Sequence, residues 1–341
     1  MRATLTEEQT SVHEVARDLA GDLTGARAVT DGGGRPAEPT SALVDGFGSL
    51  GYPERLGGSG GGLVEVALVS EALGQRVVPS PVVPHLAALQ TAAISDLPFD
   101  PASGQLLTLA VSEGTQAGLG PYRTQIGPDR VRGSKTGIVH DEAVSHAVVV
   151  GAADRVALAA LDNPVARASL DPTRPLVDVA FDVAPDATAD GDGGVLDGAV
   201  VVAAADLCGA ARGAVELAAG YAGDREQFGR PIGQFQGVAH QLADAIVGIE
   251  SAWSLVLYAA WAVDEDAPDR REAVHAAKSR AGEAAVFAAE RALQVHGGIG
   301  VTWEADAHLF LRRALGGSAW LGSSRWHAIE LGRRRLAAVD G

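Results

Sequence analysis

Cysteine is nearly absent: Cys208 is the only one in 341 residues. That excludes a disulfide framework and a cysteine-based metal site. Lying in an apolar helical stretch, Cys208 reads as core packing. Lysine is almost as scarce. Lys135 and Lys278 are the only two, so 25 of the 27 basic residues are arginine. Basic charge is itself outweighed, with 43 acidic residues and a formal net charge of −16. So acidic a chain lacks the electrostatic footprint for nucleic acid or an anionic membrane surface. No uninterrupted run of about 18 apolar residues occurs, so no membrane span is expected. The start, MRATLTEEQTSVHEVARDLA, has no apolar core or cleavage site, so a cytoplasmic protein is expected. Aromatic residues make up only 5%, yet 47% of the chain is hydrophobic, enough for a large core.

What is present divides the chain in three. The first part, residues 1–104, reads as helices broken by glycine loops. Thr6 and Gln9 form a capping box, followed by Val12, Val15, Ala16 and Leu19 at helical spacing. A Gly/Pro linker is expected from Thr30 to Pro39, then helices over Thr40–Leu50 and Leu63–Leu73, the latter stopped by Gly74. The run Gly57–Gly62 lacks the Lys-Ser/Thr of a phosphate loop and has no strand before it, so it reads as a loop. Over residues 105–197 short β-rich runs take over: Leu106–Val111, Arg130–Arg132, His146–Val150, Arg155–Leu161 and Leu176–Phe181. They predict an antiparallel β domain, with Val183–Gly194 as an acidic loop whose spacing does not meet a calcium loop. Residues 198–341 return to helix over Val200–Ala222, Val238–Val263, Arg271–His296 and Ser324–Ala338, predicting a four-helix bundle. The overall class is α+β. The nine histidines show no metal spacing, and His140 and His146 read as packing or surface residues, so no metal site is assigned.

Two C-terminal segments are too specific for composition to explain. Arg225-Glu226-Gln227-Phe228-Gly229-Arg230-Pro231-Ile232-Gly233-Gln234-Phe235-Gln236 fits R-x-Q-F-G-x-P-I-x-x-F-Q. Gln294-Val295-His296-Gly297-Gly298-Ile299-Gly300 fits Q-x-x-G-G-x-G and runs on to Arg312-Arg313-Ala314. With the Gly57–Gly62 loop and Glu71–Gly74, these resemble the acyl-CoA dehydrogenase family over essentially the whole chain. The resemblance implies the family's fold of N-terminal helices, a middle β domain and a C-terminal four-helix bundle. It also implies FAD, held in an extended form at a subunit interface. Arg225 then matches the arginine that reaches the diphosphate of a neighbour's FAD, where a forked permanent cation suits phosphate oxygens. Phe228 matches the aromatic packed on that flavin, and Phe235 and Gln236 match adenosine-side contacts. Gln294, Val295, His296, Gly297 and Gly298 match the loop whose glycines admit the adenosine diphosphate portion.

The departures carry as much information. The family's catalytic carboxylate, counted from Arg312, falls at Leu321. The alternative base position, counted back from Arg225, falls at Ala199, followed by Val200 where the family commonly has Arg. Neither can take a proton, so no catalytic residue is assigned. The T-E-P-x-x-G-S-D segment that bonds the flavin ring corresponds to Val111–Gly118 and is largely lost. In G-x-K-x-W-I-T-N the tryptophan is Gly137 and the threonine Val139. The sequence thus keeps the half-site given to a neighbour and loses the one used in its own cleft. This pattern, with His240 and the Trp303–Leu309 run, resembles the base-lacking subunit of actinobacterial α2β2 steroid-CoA dehydrogenases. The implied partners are a homologous catalytic subunit that holds most of the acyl-CoA site, and electron-transfer flavoprotein or a similar acceptor. Two alternatives remain open at this stage. Glu250 or Glu304 serves as a relocated base in an autonomous dehydrogenase or a non-redox acyl-CoA enzyme; or the chain is a flavin-free scaffold.

Overall fold

The computed structural model describes residues 4–22, 37–114 and 118–340. Among these residues four helices come first: α1 (Glu7–Asp22), α2 (Ala37–Phe47), α3 (Leu63–Gln75) and α4 (Val82–Ile94). The capping box closes α1 as expected, with Thr6 N donating to Gln9 Oε1 at 3.0 Å and Gln9 N to Thr6 Oγ1 at 3.2 Å. Ala37 to Pro39, expected in the linker, belong to α2, with Pro39 in its first turn, where a missing N–H costs nothing. Thr30 to Pro36 lies outside the described residues. Helix α4 was hidden behind Pro81 and Pro84 for the same reason: Pro84 occupies its first turn. Gly74 does not stop α3. It lies inside the helix because a β-carbon there would come within 2.3 Å of Asp206 O, and one at Gly209 within 1.9 Å of Glu71 O. These glycines let α3 and the helix below it cross backbone to backbone.

The middle part is a sandwich of two four-stranded sheets. The strands are β1 (Leu106–Ala110), β2 (Gln125–Ile126), β3 (Val131–Val139), β4 (Val144–Val150), β5 (Val156–Ala160), β6 (Val165–Arg167), β7 (Leu176–Val183) and β8 (Ala187–Ala189). One sheet runs β1-β4-β5-β8 and the other β2-β3-β7-β6. All pairs but one are antiparallel; β1 and β4 run parallel because the chain between them crosses into the second sheet. The region expected as an acidic loop holds strand β8, paired with β5. Alternate residues of β1 and β4 serve two cores. Ala110, Ala147 and Val149 meet Val177, Val179 and Phe181 between the sheets. Leu107, Leu109, Val148 and Val150 join the helical core instead. Both faces are therefore apolar, as in a covered sheet.

The C-terminal part holds five helices: α5 (Asp197–Asp224), α6 (Gln236–Asp264), α7 (Arg270–His296), α8 (Ala307–Ala319) and α9 (Ser324–Asp340). Helix α8 is an addition to the four expected. The two-residue strands β9 (Glu226–Gln227) and β10 (Arg230–Pro231) form a hairpin between α5 and α6. One continuous core joins α3, α4, α5, α6 and α7, and Cys208 is buried in it. By length and composition alone, α5 and α6 are each apolar enough to cross a bilayer, as buried core helices also are. Helix α5 has 94% of its most apolar window buried inside the protein, whereas α6 has only 33%. Helix α6 thus leaves Ile246 and Val247 uncovered, and Phe287 on α7 is uncovered too.

Candidate functional site

At the end of α5, Arg225 leaves helical geometry, and its backbone N–H still donates to Tyr221 O at 2.9 Å. The chain then turns back through Phe228 (φ 54°) and Gly229 (φ 78°), closed by Ile232 N to Arg225 O at 2.8 Å. A bulky residue at positive φ is a strained choice. Here it projects the Phe228 ring, 92% exposed, from the hairpin tip. Phe235, which precedes α6, meets Phe228 edge-on with ring centroids 6.0 Å apart. The Arg230 guanidinium covers the Phe235 ring at 4.1 Å. Gln236 is exposed as the first residue of α6.

The second motif ends α7. Gly297 (φ 63°, ψ −141°) has a conformation that belongs to glycine, and its N–H donates back to Gln294 O and Leu293 O. A β-carbon on Gly297 or Gly298 would meet nothing within 4 Å, so nothing packed on Gly298 in this chain requires a glycine there. Gln294, Gly297 and Gly298 are exposed. Val295 and His296 are not part of that surface. Val295 packs on the core, and the buried His296 ring stacks on Tyr221 with centroids 4.4 Å apart while Nδ1 donates to Ala292 O at 2.8 Å. Their inward orientation follows from the helical period, which turns them to the α5 side of α7. That stack also brings the two motifs together at one end of the bundle. Beside them Ile299, Val301 and Trp303 form an exposed apolar strip.

In the other half of the expected site the base positions are buried. Leu321 (φ 57°) is 4% exposed, and Ala199 and Val200 are buried in α5. The Leu321 loop is held by backbone contacts: His327 Nε2 donates to Leu321 O at 2.9 Å, and Lys278 Nζ donates to Gly317, Ser318 and Gly322 carbonyls at 3.1–3.2 Å. Burial pushes the Lys278 ammonium down to about 7 and the His327 ring to about 3. The Trp326 indole lies over Gly118, where a β-carbon would come within 2.2 Å of its Nε1. Trp326 and Val200 line a cleft of about 500 Å³ together with His275, His327, Arg271 and Tyr122. At Gly137 strand β3 bulges, with φ 62° and its N–H bonded to Asp178 Oδ1 at 2.9 Å, where the family tryptophan is expected. Glu250 is ion-paired to Arg212 at 2.6 Å, and Glu304 is exposed after the glycine turn; neither lines the clefts beside Val200 or Gly137. Among the described residues no group of three or more His, Cys, Asp and Glu is placed to hold a metal.

The ring-shell stretches are tied to each other instead. Lys135 Nζ, fully buried, donates to Val111 O at 2.9 Å and Glu113 Oε1 at 2.8 Å. Glu113 also accepts from Arg123 N, Thr124 N and Thr124 Oγ1. Burial acts to raise the Glu113 carboxyl, but hydrogen bonds from Lys135 and Thr124 outweigh it and hold it at about 2. A depressed carboxyl stabilises the fold fully above its ordinary value near 4.5, and the contribution is lost as pH falls towards 2. Urea unfolding between pH 5 and 2 is therefore expected to show the gap between wild type and Glu113→Gln narrowing as pH drops. A gap independent of pH contradicts this.

Sequence reasoning missed a buried network. Arg313, 1% exposed, bonds Asp171 Oδ2 at 2.7 Å, Asp206 Oδ1 at 3.0 Å, Val78 O at 3.2 Å and Thr173 Oγ1 at 2.5 Å. Arg174 adds a second cation on Asp206 at 2.8 Å.

The exposed motif residues fit the extended cofactor of the resemblance. Arg225 forms no ion pair among the described residues, and beside it an unobstructed glycine backbone faces outward. Residues 195–336 match the family described as Acyl-CoA dehydrogenase, C-terminal domain. The chain is 34% identical over 280 residues to Acyl-CoA dehydrogenase IpdE2 of Mycobacterium tuberculosis, covering 82% of this chain and 80% of that protein. Acyl-CoA dehydrogenase FadE34 of the same organism is 34% identical over 100% of this chain but only 50% of its own length. A variant of the Tcur3481-Tcur3483 steroid ACAD superimposes with a TM-score of 0.88 at 26% identity, covering 99% of this chain and 100% of that one.

Proposed function

We propose, from the premise that this chain belongs to the acyl-CoA dehydrogenase family, that it is the non-catalytic subunit of a flavin-dependent complex. The complex desaturates the α,β bond of a bulky, steroid-derived CoA thioester in the cytoplasm. The family acts on CH–CH bonds of acyl-CoA, and FAD, when bound, supplies the two-electron acceptor. Here the chain's own contribution is to a neighbour: Arg225 holds the diphosphate, Phe228 packs on the flavin, and Phe235, Gln236, Gln294, Gly297 and Gly298 take the adenosine side. Val295 and His296 support that loop from inside.

The observation that carries this reading is a contrast within one molecule. Arg225, Phe228, Gln236, Gln294, Gly297 and Gly298, which match contacts given to a neighbour, are exposed, while both base positions are buried and apolar. A carboxylate is the group whose pKa burial can tune for abstracting an α-proton; Leu321 and Ala199 offer none. Three further points support pairing with a homologous subunit. Helix α6, Phe287 and the Ile299–Trp303 strip leave apolar surface uncovered, as a surface that packs against another subunit would. A relative twice as long matches this whole chain with one half of its length. The similar solved structure is the two-component Tcur3481-Tcur3483 steroid ACAD. The acyl-CoA then sits mainly in the partner's cleft, and electron-transfer flavoprotein or a like acceptor reoxidises the flavin there.

Co-expression with a homologous chain that has both the carboxylate and the W-I-T segment tests the assembly. Native mass spectrometry is expected to give a species of two copies of each. A homotetramer of this chain that excludes the partner contradicts the proposal.

A further inference from the structure

The hairpin carries a second cation that the family motif leaves unspecified. Its register pairs Gln227 with Arg230 and Glu226 with Pro231. Directly paired residues project to the same face of a ladder, as do residues two apart along one strand. Arg225, just before the strand, is itself extended (φ −76°, ψ 117°) and its carbonyl accepts from Ile232 N at 2.8 Å, which carries the ladder one residue further. Arg225, Gln227 and Arg230 thus share one face, and Glu226 lies on the other. Arg225 and Arg230 are a diagonal pair, a spacing of about 7–8 Å between backbones that long side chains bridge. Both are exposed, and among the described residues neither forms an ion pair, although the chain as a whole carries an excess of acid. Arg230 is also held in place, since its guanidinium lies 4.1 Å over the Phe235 ring. Phe235 is fixed in turn by the start of α6, where its carbonyl accepts from Val238 N and Ala239 N. A planar cation stacked on an aromatic face keeps its N–H groups free at the edge and loses less freedom when an anion arrives.

We infer that Arg230 is a second diphosphate-binding residue, positioned by Phe235, so that the hairpin offers one guanidinium to each phosphate of a dinucleotide. The inference rests on the reading that this face meets the neighbour's FAD. Arg225 and Arg230 act as a clamp: two fixed positive charges on one face meet the two negative charges of a diphosphate. The same stack gives Phe235 a role besides any contact of its own, because it sets where Arg230 points.

The test uses the co-expressed complex and measures FAD affinity by the fluorescence of released flavin, with ADP and adenosine as displacing probes. Arg230→Gln is expected to weaken FAD and ADP about tenfold or more and to leave adenosine displacement unchanged, because only the diphosphate loses a charged partner. Arg230→Lys keeps the charge without the planar stack and is expected to recover only part of the loss. Phe235→Leu is expected to lower ADP affinity more in the presence of Arg230 than in the Arg230→Gln background. If Arg230→Gln matches wild type while Arg225→Gln weakens ADP, the second-cation inference is overturned and the hairpin reading stands. If neither substitution changes ADP affinity, the hairpin does not meet a diphosphate at all and both fall. Circular dichroism of each variant is expected to match wild type, since neither guanidinium forms an ion pair among the described residues.

Discussion

Arg225→Ala in the co-expressed complex is expected to weaken FAD binding by about 10- to 100-fold, the range for losing charge-assisted hydrogen bonds to phosphate. The stability of this chain is expected to stay within about 0.5 kcal/mol, as for exposed substitutions that remove no packing. The separation follows from geometry. The side chain of Arg225 is exposed and forms no ion pair among the described residues, while its backbone bond to Tyr221 O survives in alanine. Flavin content after gel filtration, together with urea unfolding, checks both halves. A complex that keeps its full flavin removes Arg225 from the cofactor site. A large loss of stability assigns it to the fold instead.

The second large effect concerns the fold. Arg313→Met is expected to destabilise the chain by about 3–5 kcal/mol, because it leaves buried carboxylates short of a counter-charge. Arg313 ties α8 to Asp206 on α5, to Asp171 and Thr173 before β7, and to Val78 after α3. Burial acts to raise the Asp171 carboxyl, but the charges of Arg313 and Arg174 outweigh it and hold it below its ordinary value of 3.8. That pairing stabilises the fold above the ordinary value and is lost as pH falls below it. Urea unfolding at pH 7 measures the effect. Adding Asp171→Leu to Arg313→Met is expected to recover part of the loss, since the uncompensated charge goes with it. Additive losses contradict the network.

How much of this was legible depended on what each feature needs. The long helices were visible because α5, α6 and α7 are apolar over many turns, and their ends fell within three residues of those expected. Strand β3 was seen only over Arg130–Arg132, because Gly133, Ser134, Lys135 and Gly137 break its alternation and the bulge shifts its phase. Short strands such as β6 and β8 take their identity from a neighbour they pair with, which local sequence does not show. The hairpin was legible as a motif, and Phe228 and Gly229 fit its two-residue turn. What sequence could not separate was which motif residues face out. Val295 and His296 sit within the motif but turn inward, a matter of helical phase against α5. The Arg313 network joins four distant segments, so no local pattern announced it.

On the function proposed, this chain completes a flavin site that it cannot operate alone. The visible absorption spectrum and an α,β-desaturation assay, run on the chain expressed alone and then co-expressed with the homologous carboxylate-bearing chain, test it most directly. The chain alone is expected to be colourless and inactive, and the complex with the partner yellow and active. A yellow and active homo-oligomer of this chain alone would contradict it.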